Sequence, residues 1–302
     1  METLKTLESE SINTCVTSPP YWGLRDYNGE KEQLGLEATP QEFVDNLVAV
    51  FREVKRVLRK DGTLWLNLGD SYNAARNGGH AGGSKQNHKK YLQRSGANVV
   101  GLKPKDLIGI PWRVAFALQQ DGWYLRQDII WHKPNPMPES VKDRCTKAHE
   151  YIFLLSKSPK YYYDNEAIKE DAKFPGGPTA AHAIRKGADD PKMQTRGGLH
   201  KIGANPKRNK RSVWTITTKP YKEAHFATFP KDLIEPCVLA GCPEGGTVLD
   251  PFGGSGTTAQ VANDNHRDSI LCELSAEYIE IAKKRLHSMF SDVMVETTNG
   301  DL

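Results

Sequence analysis

Along this chain, short unbroken apolar runs take turns with stretches in which apolar residues recur every three or four positions. Strands buried on both faces, alternating with amphipathic helices, produce that pattern. Ile12–Thr17 is the first apolar run and leads into Ser18-Pro19-Pro20-Tyr21. A helix is predicted from Pro40, because Thr39 and Glu42 have the spacing of a capping box and proline suits a first helical turn. Phe43, Leu47, Val50, Phe51, Val54 and Leu58 follow on one face, Asp61-Gly62 breaks the pattern, and residues 63–68 form the next strand. A second helix is predicted over about 106–120, where Pro111 either introduces a kink or marks the true start. Residues 125–132 and 151–156 read as two further strands.

The same alternation returns towards the C-terminus. Residues 233–239 read as helix, 247–250 as strand, then a glycine-rich turn opens a helix near Gly256, followed by a strand over 269–273 and a helix over 276–286. No internal repeat at a fixed period is present. This order predicts an α/β protein whose sheet is largely parallel and covered on both faces. Two segments depart from it: 71–104, rich in Gly, Asn, Lys and Arg, and 165–211, which contains Lys207-Arg208-Asn209-Lys210-Arg211. Loops of such length inside a domain are uncommon and tend to be functional or disordered.

Composition narrows the picture. No apolar run approaches the roughly 18–20 residues that span a bilayer, and METLKTLESE lacks the pattern of a signal peptide. No membrane partner is expected, and with its cysteines read as reduced the protein is expected in the cytoplasm. The five cysteines, Cys15, Cys145, Cys237, Cys242 and Cys272, are scattered and odd in number, and are read as reduced. Cys237 and Cys242 lack the further ligands that zinc requires, so no metal is expected. Net charge is only +4 over 302 residues, but its distribution is uneven. Segment 165–211 has eleven Lys or Arg against five acids, hence +6, which leaves −2 for the other 255 residues. A concentrated basic segment with interspersed His, Gly and Asn suits phosphate contact; solvated surface is the plainer explanation.

Two motifs carry chemistry. The first is Asp250-Pro251-Phe252-Gly253-Gly254-Ser255-Gly256-Thr257-Thr258, between a strand and a helix. Glycines there let a backbone approach a ligand, and the helix start offers unpaired N–H groups. It is neither a P-loop nor a GxGxxG turn. Glu273, 23 residues beyond Asp250, stands where a carboxylate can grip ribose hydroxyls. Together these predict a nucleoside-cofactor site. The second motif, Ser18-Pro19-Pro20-Tyr21-Trp22, follows a strand end, where ligands bind in open α/β sheets. Its prolines stiffen the turn and remove N–H donors, leaving carbonyls and the Ser18 hydroxyl to accept, and an aromatic to stack on a planar ring. Alone, it would read as a proline turn with a buried aromatic.

Taken together, the two motifs resemble the amino-methylating DNA methyltransferases that use S-adenosylmethionine (SAM), in the order of the permuted beta group. The resemblance covers most of the chain. His225-Phe226-Ala227-Thr228-Phe229-Pro230 is similar to the segment that closes over the methionine end of the cofactor, and residues 63–72 and 128–134 to segments around the target-base pocket. The implied fold is a circularly permuted Rossmann-like methyltransferase sheet with an inserted target-recognition region. Its parts are a catalytic portion over 1–164, the recognition region over 165–211 and a SAM-binding portion over 212–302. The family commonly has an Asn/Gly-Asp turn before the helix leading to the catalytic strand, whereas this chain begins inside that helix. A strand over 293–297 followed by Asn299-Gly300-Asp301 is expected to supply the missing piece, with Asp301 near the adenine; a frayed polar tail is the rival reading.

The resemblance implies roles for individual residues. Ser18, Pro19, Pro20 and Tyr21 form the catalytic turn, with Ser18 and the Pro19 carbonyl accepting hydrogen bonds from the target amino group. Tyr21, joined by Trp22, stacks on a base flipped out of duplex DNA. Cofactor contacts fall to Asp250, Pro251, Phe252, Gly254, Ser255, Gly256, Thr257, Glu273, Thr228, Phe229 and Asp301. Lys207, Arg208, Lys210 and Arg211 contact DNA. Asp70 either lines the base pocket or caps the next turn, His132 and Lys133 either touch DNA or are satisfied within the fold, and Phe229 either packs against the cofactor or is a plain core aromatic. Ser-Pro-Pro-Tyr occurs mostly in cytosine-N4 enzymes and favours that target over adenine N6. RNA or protein glutamine methylation, and a silent DNA-binding subunit, are the competing functions. A cognate restriction endonuclease is a candidate partner, and the sequence leaves monomer and homodimer both open.

Overall fold

The computed structural model describes residues 2–23, 33–73, 101–172, 206–218 and 229–287. Two units divide the chain, Met1–Tyr163 with Ser212–Leu302, and Asp164–Arg211.

In the larger unit, β1 (Ile12–Thr17), β2 (Leu58–Leu68), β3 (Tyr124–His132), β4 (His149–Ser156), β7 (Val213–Thr215), β8 (Thr247–Asp250) and β9 (Asp268–Leu271) form one sheet in the order β7-β3-β4-β2-β1-β8-β9. β2, β1, β8 and β9 run parallel, as do β3 and β7. β4 alone is reversed, antiparallel to both β2 and β3. Its last five residues are buried, which is why they read as an unbroken apolar run.

Six helices are described: α1 (Glu2–Thr6), α2 (Pro40–Val57), α3 (Ile110–Gln120), α4 (Lys231–Gly241), α5 (Thr257–Asp264) and α6 (Ala276–His287). The α2 capping box is present, with Thr39 Oγ1 accepting from Glu42 N and Glu42 reaching back to Thr39 N. Phe43, Leu47, Phe51 and Val54 on its inner face are wholly buried, each worth roughly 1.5–3 kcal/mol of burial. The helix ends at Val57, and β2 starts at once. The Asp61-Gly62 break is a bulge inside β2, since Ile12 pairs with Leu58 but Thr14 already pairs with Thr63. For α3 the proline marks the start: Pro111 stands in its first turn, and residues 106–109 are loop. A ring without an N–H is tolerated there because first-turn donors lack helical acceptors anyway.

The smaller unit holds the two-stranded ladder of β5 (Glu170–Asp171) and β6 (Lys207–Arg208). Among the described residues, no helix is long and apolar enough to cross a membrane and no cluster of metal ligands is found.

Candidate active site

The parallel strands open their C-terminal ends on one edge of the sheet, and β1 and β8 are neighbours there, so the turns after them adjoin. Thr17, the last residue of β1, donates from Oγ1 to Asp250 Oδ1 at 2.6 Å. Thr258 in α5 donates to Oδ2 at 2.6 Å, and Phe252 N–H to Oδ1 at 3.0 Å. Asp250 is 1% exposed. Burial lifts its carboxyl from 3.8 to about 6, with the donors from Thr17, Thr258 and Phe252 working against that rise. The carboxylate thus clasps the Ser18–Tyr21 turn to the glycine-rich turn.

Behind the glycine-rich turn stands Arg285 of α6, which sequence reasoning missed. It donates to Ser255 O at 3.0 Å, Ser255 Oγ at 3.1 Å and Thr257 Oγ1 at 2.6 Å. Ser255 and Thr257 are buried, so their hydroxyls shape the loop from inside, as the Asp250 carboxylate does. Pro251 and Gly256 are buried as well. At Gly256, with φ +78°, a Cβ would come within 3.1 Å of Ala282 Cβ, so glycine allows α6 to pack against the turn.

Phe252, Gly254 and Glu273 remain partly exposed. Glu273 stands two residues beyond β9 and accepts from Gly254 N at 2.7 Å and Ser275 N at 2.8 Å. Gly254 has φ +50°, and a Cβ there would meet nothing nearer than 3.9 Å. Open space beside a backbone turn and a carboxylate fits a ribose-bearing cofactor.

On the other side of β1, Ser18 is half-buried and Pro19 buried. Neither the Ser18 hydroxyl nor the Pro19 carbonyl has a hydrogen-bond partner among the described residues. Tyr21 Oη donates to Glu150 Oε2 at 2.7 Å and lies 3.3 Å from Asn67 Oδ1. Asn67 Nδ2 donates to Glu150 Oε2 and to Tyr151 O. Lys133 Nζ pairs with Glu150 Oε1 and lies 4.1 Å from the centroid of the Trp131 ring. Burial holds the Lys147 ammonium below its ordinary value, against the attraction of Asp70, Glu150 and Glu139.

The structure decides between several of the alternatives that the sequence left open. Trp22 is 8% exposed and donates its indole N–H to Glu37 O at 3.1 Å, so it belongs to the core and does not join Tyr21 in stacking. Asp70 is a cap: its Oδ1 accepts from Ser71 N, Gly109 N and Ile110 N, the last two at the start of α3. His132 Nδ1 meets Thr215 Oγ1 at 3.1 Å and Lys133 is bound to Glu150, so both are satisfied within the fold. Phe229 is half-buried just ahead of α4, while Thr228, Asp301 and the 293–297 strand lie outside the described residues. In the smaller unit Arg208 and Arg211 both donate to Glu170 Oε1, at 2.9 and 2.6 Å. Burial opposes it, but the bond to Arg211 and the charges of both arginines hold the Glu170 carboxyl below its usual value.

The fold and paired turns define a nucleoside-cofactor enzyme of the α/β class. A family model described as DNA methylase matches residues 12–284. The chain is 48% identical over 294 residues to the Type II methyltransferase M.Cfr9I of Citrobacter freundii, covering 97% of this chain and 87% of that protein. It is 50% identical over 287 residues to the Type II methyltransferase M.SmaI of Serratia marcescens, covering 94% and 87%. Among solved structures, the PvuII DNA methyltransferase (cytosine-N4-specific) shares the fold with a TM-score of 0.62 at 20% identity, covering 94% of this chain and 82% of that one. The chain belongs to the DNA methylase family of the N6/N4 amino-methylating type, and SAM is its cofactor.

Proposed function

We propose that this chain is a site-specific methyltransferase acting on the N4 amino group of cytosine in duplex DNA. The observation that carries this reading is the Thr17–Asp250 clasp, which sets the Ser18–Tyr21 turn beside the cofactor turn. When bound, SAM supplies an electrophilic methyl group on a sulfonium. Gly254, Phe252 and Glu273 would hold its nucleoside part, with Phe229, Thr228 and Asp301 the further candidates.

An exocyclic amino group is a weak nucleophile because its lone pair is delocalised into the ring. The Ser18 hydroxyl and Pro19 carbonyl, both without partners among the described residues, would accept its two N–H bonds. That favours a pyramidal nitrogen and stabilises the positive charge that develops on it. No strong general base is needed, since the extra proton can leave to solvent after transfer. The base must be flipped from the duplex to reach this turn, and Tyr21 would stack on it. A hydroxyl at position 18 in place of a carboxylate is the residue-level ground for cytosine over adenine.

Lys207, Arg208, Lys210 and Arg211 are proposed to lie along the DNA. A cognate endonuclease is a proposed partner and the cytoplasm the proposed location. Expression in a host without other DNA methyltransferases, followed by nucleoside mass spectrometry and sequencing of the modified sites, tests the reading. N4-methylcytosine is the expected product; N6-methyladenine would replace the cytosine assignment, and unmodified DNA would sink it.

A further inference from the structure

Glu150 has no place in the chemistry just described, yet it is the hub of the target-base side of the site. Its carboxylate is 84% buried as a side chain, at 16% exposure, and its Lys133 partner is similarly covered at 18%. A carboxylate enclosed to that degree is stable only if its oxygens are matched by donors. Lys133 satisfies Oε1, while Tyr21 Oη and Asn67 Nδ2 both address Oε2. Asn67 is itself fixed, being buried and donating to Tyr151 O at 3.1 Å. The Lys133 ammonium also lies over the Trp131 ring, 4.1 Å from its centroid.

The backbone reinforces this arrangement. β4 runs against β2 with a register that ends at Leu68 and Tyr151, so Glu150 and Gly69 are each the next residue beyond that last pair. A Cβ on Gly69 would fall 2.5 Å from Tyr21 Cε2 and 3.0 Å from Cδ2. The Tyr21 ring therefore rests directly on the Gly69 backbone, while its hydroxyl is tied to Glu150. Contact at the ring and a hydrogen bond at its tip together define one ring plane.

We propose that Glu150 is a positioning residue for methyl transfer: fixed by Lys133, it holds the Tyr21 hydroxyl and thereby sets the ring that receives the target base. This rests on the reading that Tyr21 stacks on that base. Glu150 touches neither substrate nor cofactor and acts only through Tyr21.

A double-mutant cycle with Tyr21→Phe and Glu150→Gln, supplemented by Glu150→Ala and Tyr21→Ala, tests it. The readouts are kcat for labelled methyl transfer to DNA from a methylation-free host, equilibrium affinity for SAM, and thermal melting. Tyr21→Phe and Glu150→Ala should each lower kcat about 10- to 100-fold, with SAM affinity within about threefold of the parent. Glu150→Gln, which keeps an acceptor for the hydroxyl, should recover part of the loss. The double variant should be no worse than Tyr21→Phe alone, because Glu150 acts only through the hydroxyl which that change removes. Multiplicative losses, or full kcat in Glu150→Ala, would overturn the proposal. If Glu150→Ala melts too early to assay, the Phe and Gln pair still decides. Full turnover in Tyr21→Ala would instead remove the stacking role on which the proposal rests.

Discussion

Asp250 is a buried carboxyl whose hydrogen bonds tie two turns of the sheet edge together. Its carboxyl is raised from 3.8 to about 6, so the folded protein binds this proton more readily than the unfolded chain does. Between those values stability falls as pH rises, and above pH 6 the full penalty of about 3 kcal/mol is present. In Asp250→Asn an amide can still accept from Thr17 and Phe252 and cannot ionise. Its stability relative to the parent should therefore decline by up to about 3 kcal/mol from pH 7 to pH 4, measured by denaturant unfolding. A pH-independent difference would contradict burial as the cause. Ser18→Ala should cut kcat at least about tenfold and leave SAM affinity nearly unchanged. Comparable losses in both would make Ser18 structural. Gly69→Ala should reproduce the kcat loss of Tyr21→Phe, because its Cβ displaces the same ring.

At the scale of elements, side chains from distant parts of the chain complete what local sequence leaves open. α3 starts at a glycine N-cap with no side-chain bond of its own, and Asp70, 39 residues earlier than Gly109, provides the acceptor. Asp70→Ala should cost about 1–2 kcal/mol in unfolding experiments, the usual price of a lost cap. α5 likewise begins at Gly256 without a side-chain cap, and its preceding turn is held by Arg285 from α6. Arg285→Met removes those donors from two buried hydroxyls. SAM affinity should weaken about tenfold, equivalent to about 1.4 kcal/mol, with a smaller effect on turnover at saturation. Unchanged affinity in calorimetry would show that the turn keeps its form without the arginine.

For the whole molecule, charge is divided as the chain is. Segment 165–211 has a surplus of six positive charges, and the remaining 255 residues a deficit of two. Replacing Lys207, Arg208, Lys210 and Arg211 with glutamine should weaken DNA binding and reduce the slope of log K against log salt by about 2–4. The lower value applies to the extent that Arg208 and Arg211 stay paired with Glu170. An unaltered slope would take this segment off the DNA.

Sequence alone was sufficient for whatever depends on neighbours in the chain. Period and capping residues located β1 and β8 to the residue and started α2 at Pro40, because strand burial and helix caps are local patterns. The two chemical turns were legible for the same reason, each a contiguous motif at a strand end. Contacts across long separations were not. Reading β4 from Tyr151 left Glu150 outside the strand, and nothing in its neighbours tells that a reversed strand carries it to Tyr21, 129 residues away. Nothing in the sequence around Arg285 sets it apart, and Asp70 stood undecided between pocket and cap. Whether a buried polar group serves a ligand or the protein depends on which donors and acceptors surround it, and only the packed sheet brings those together.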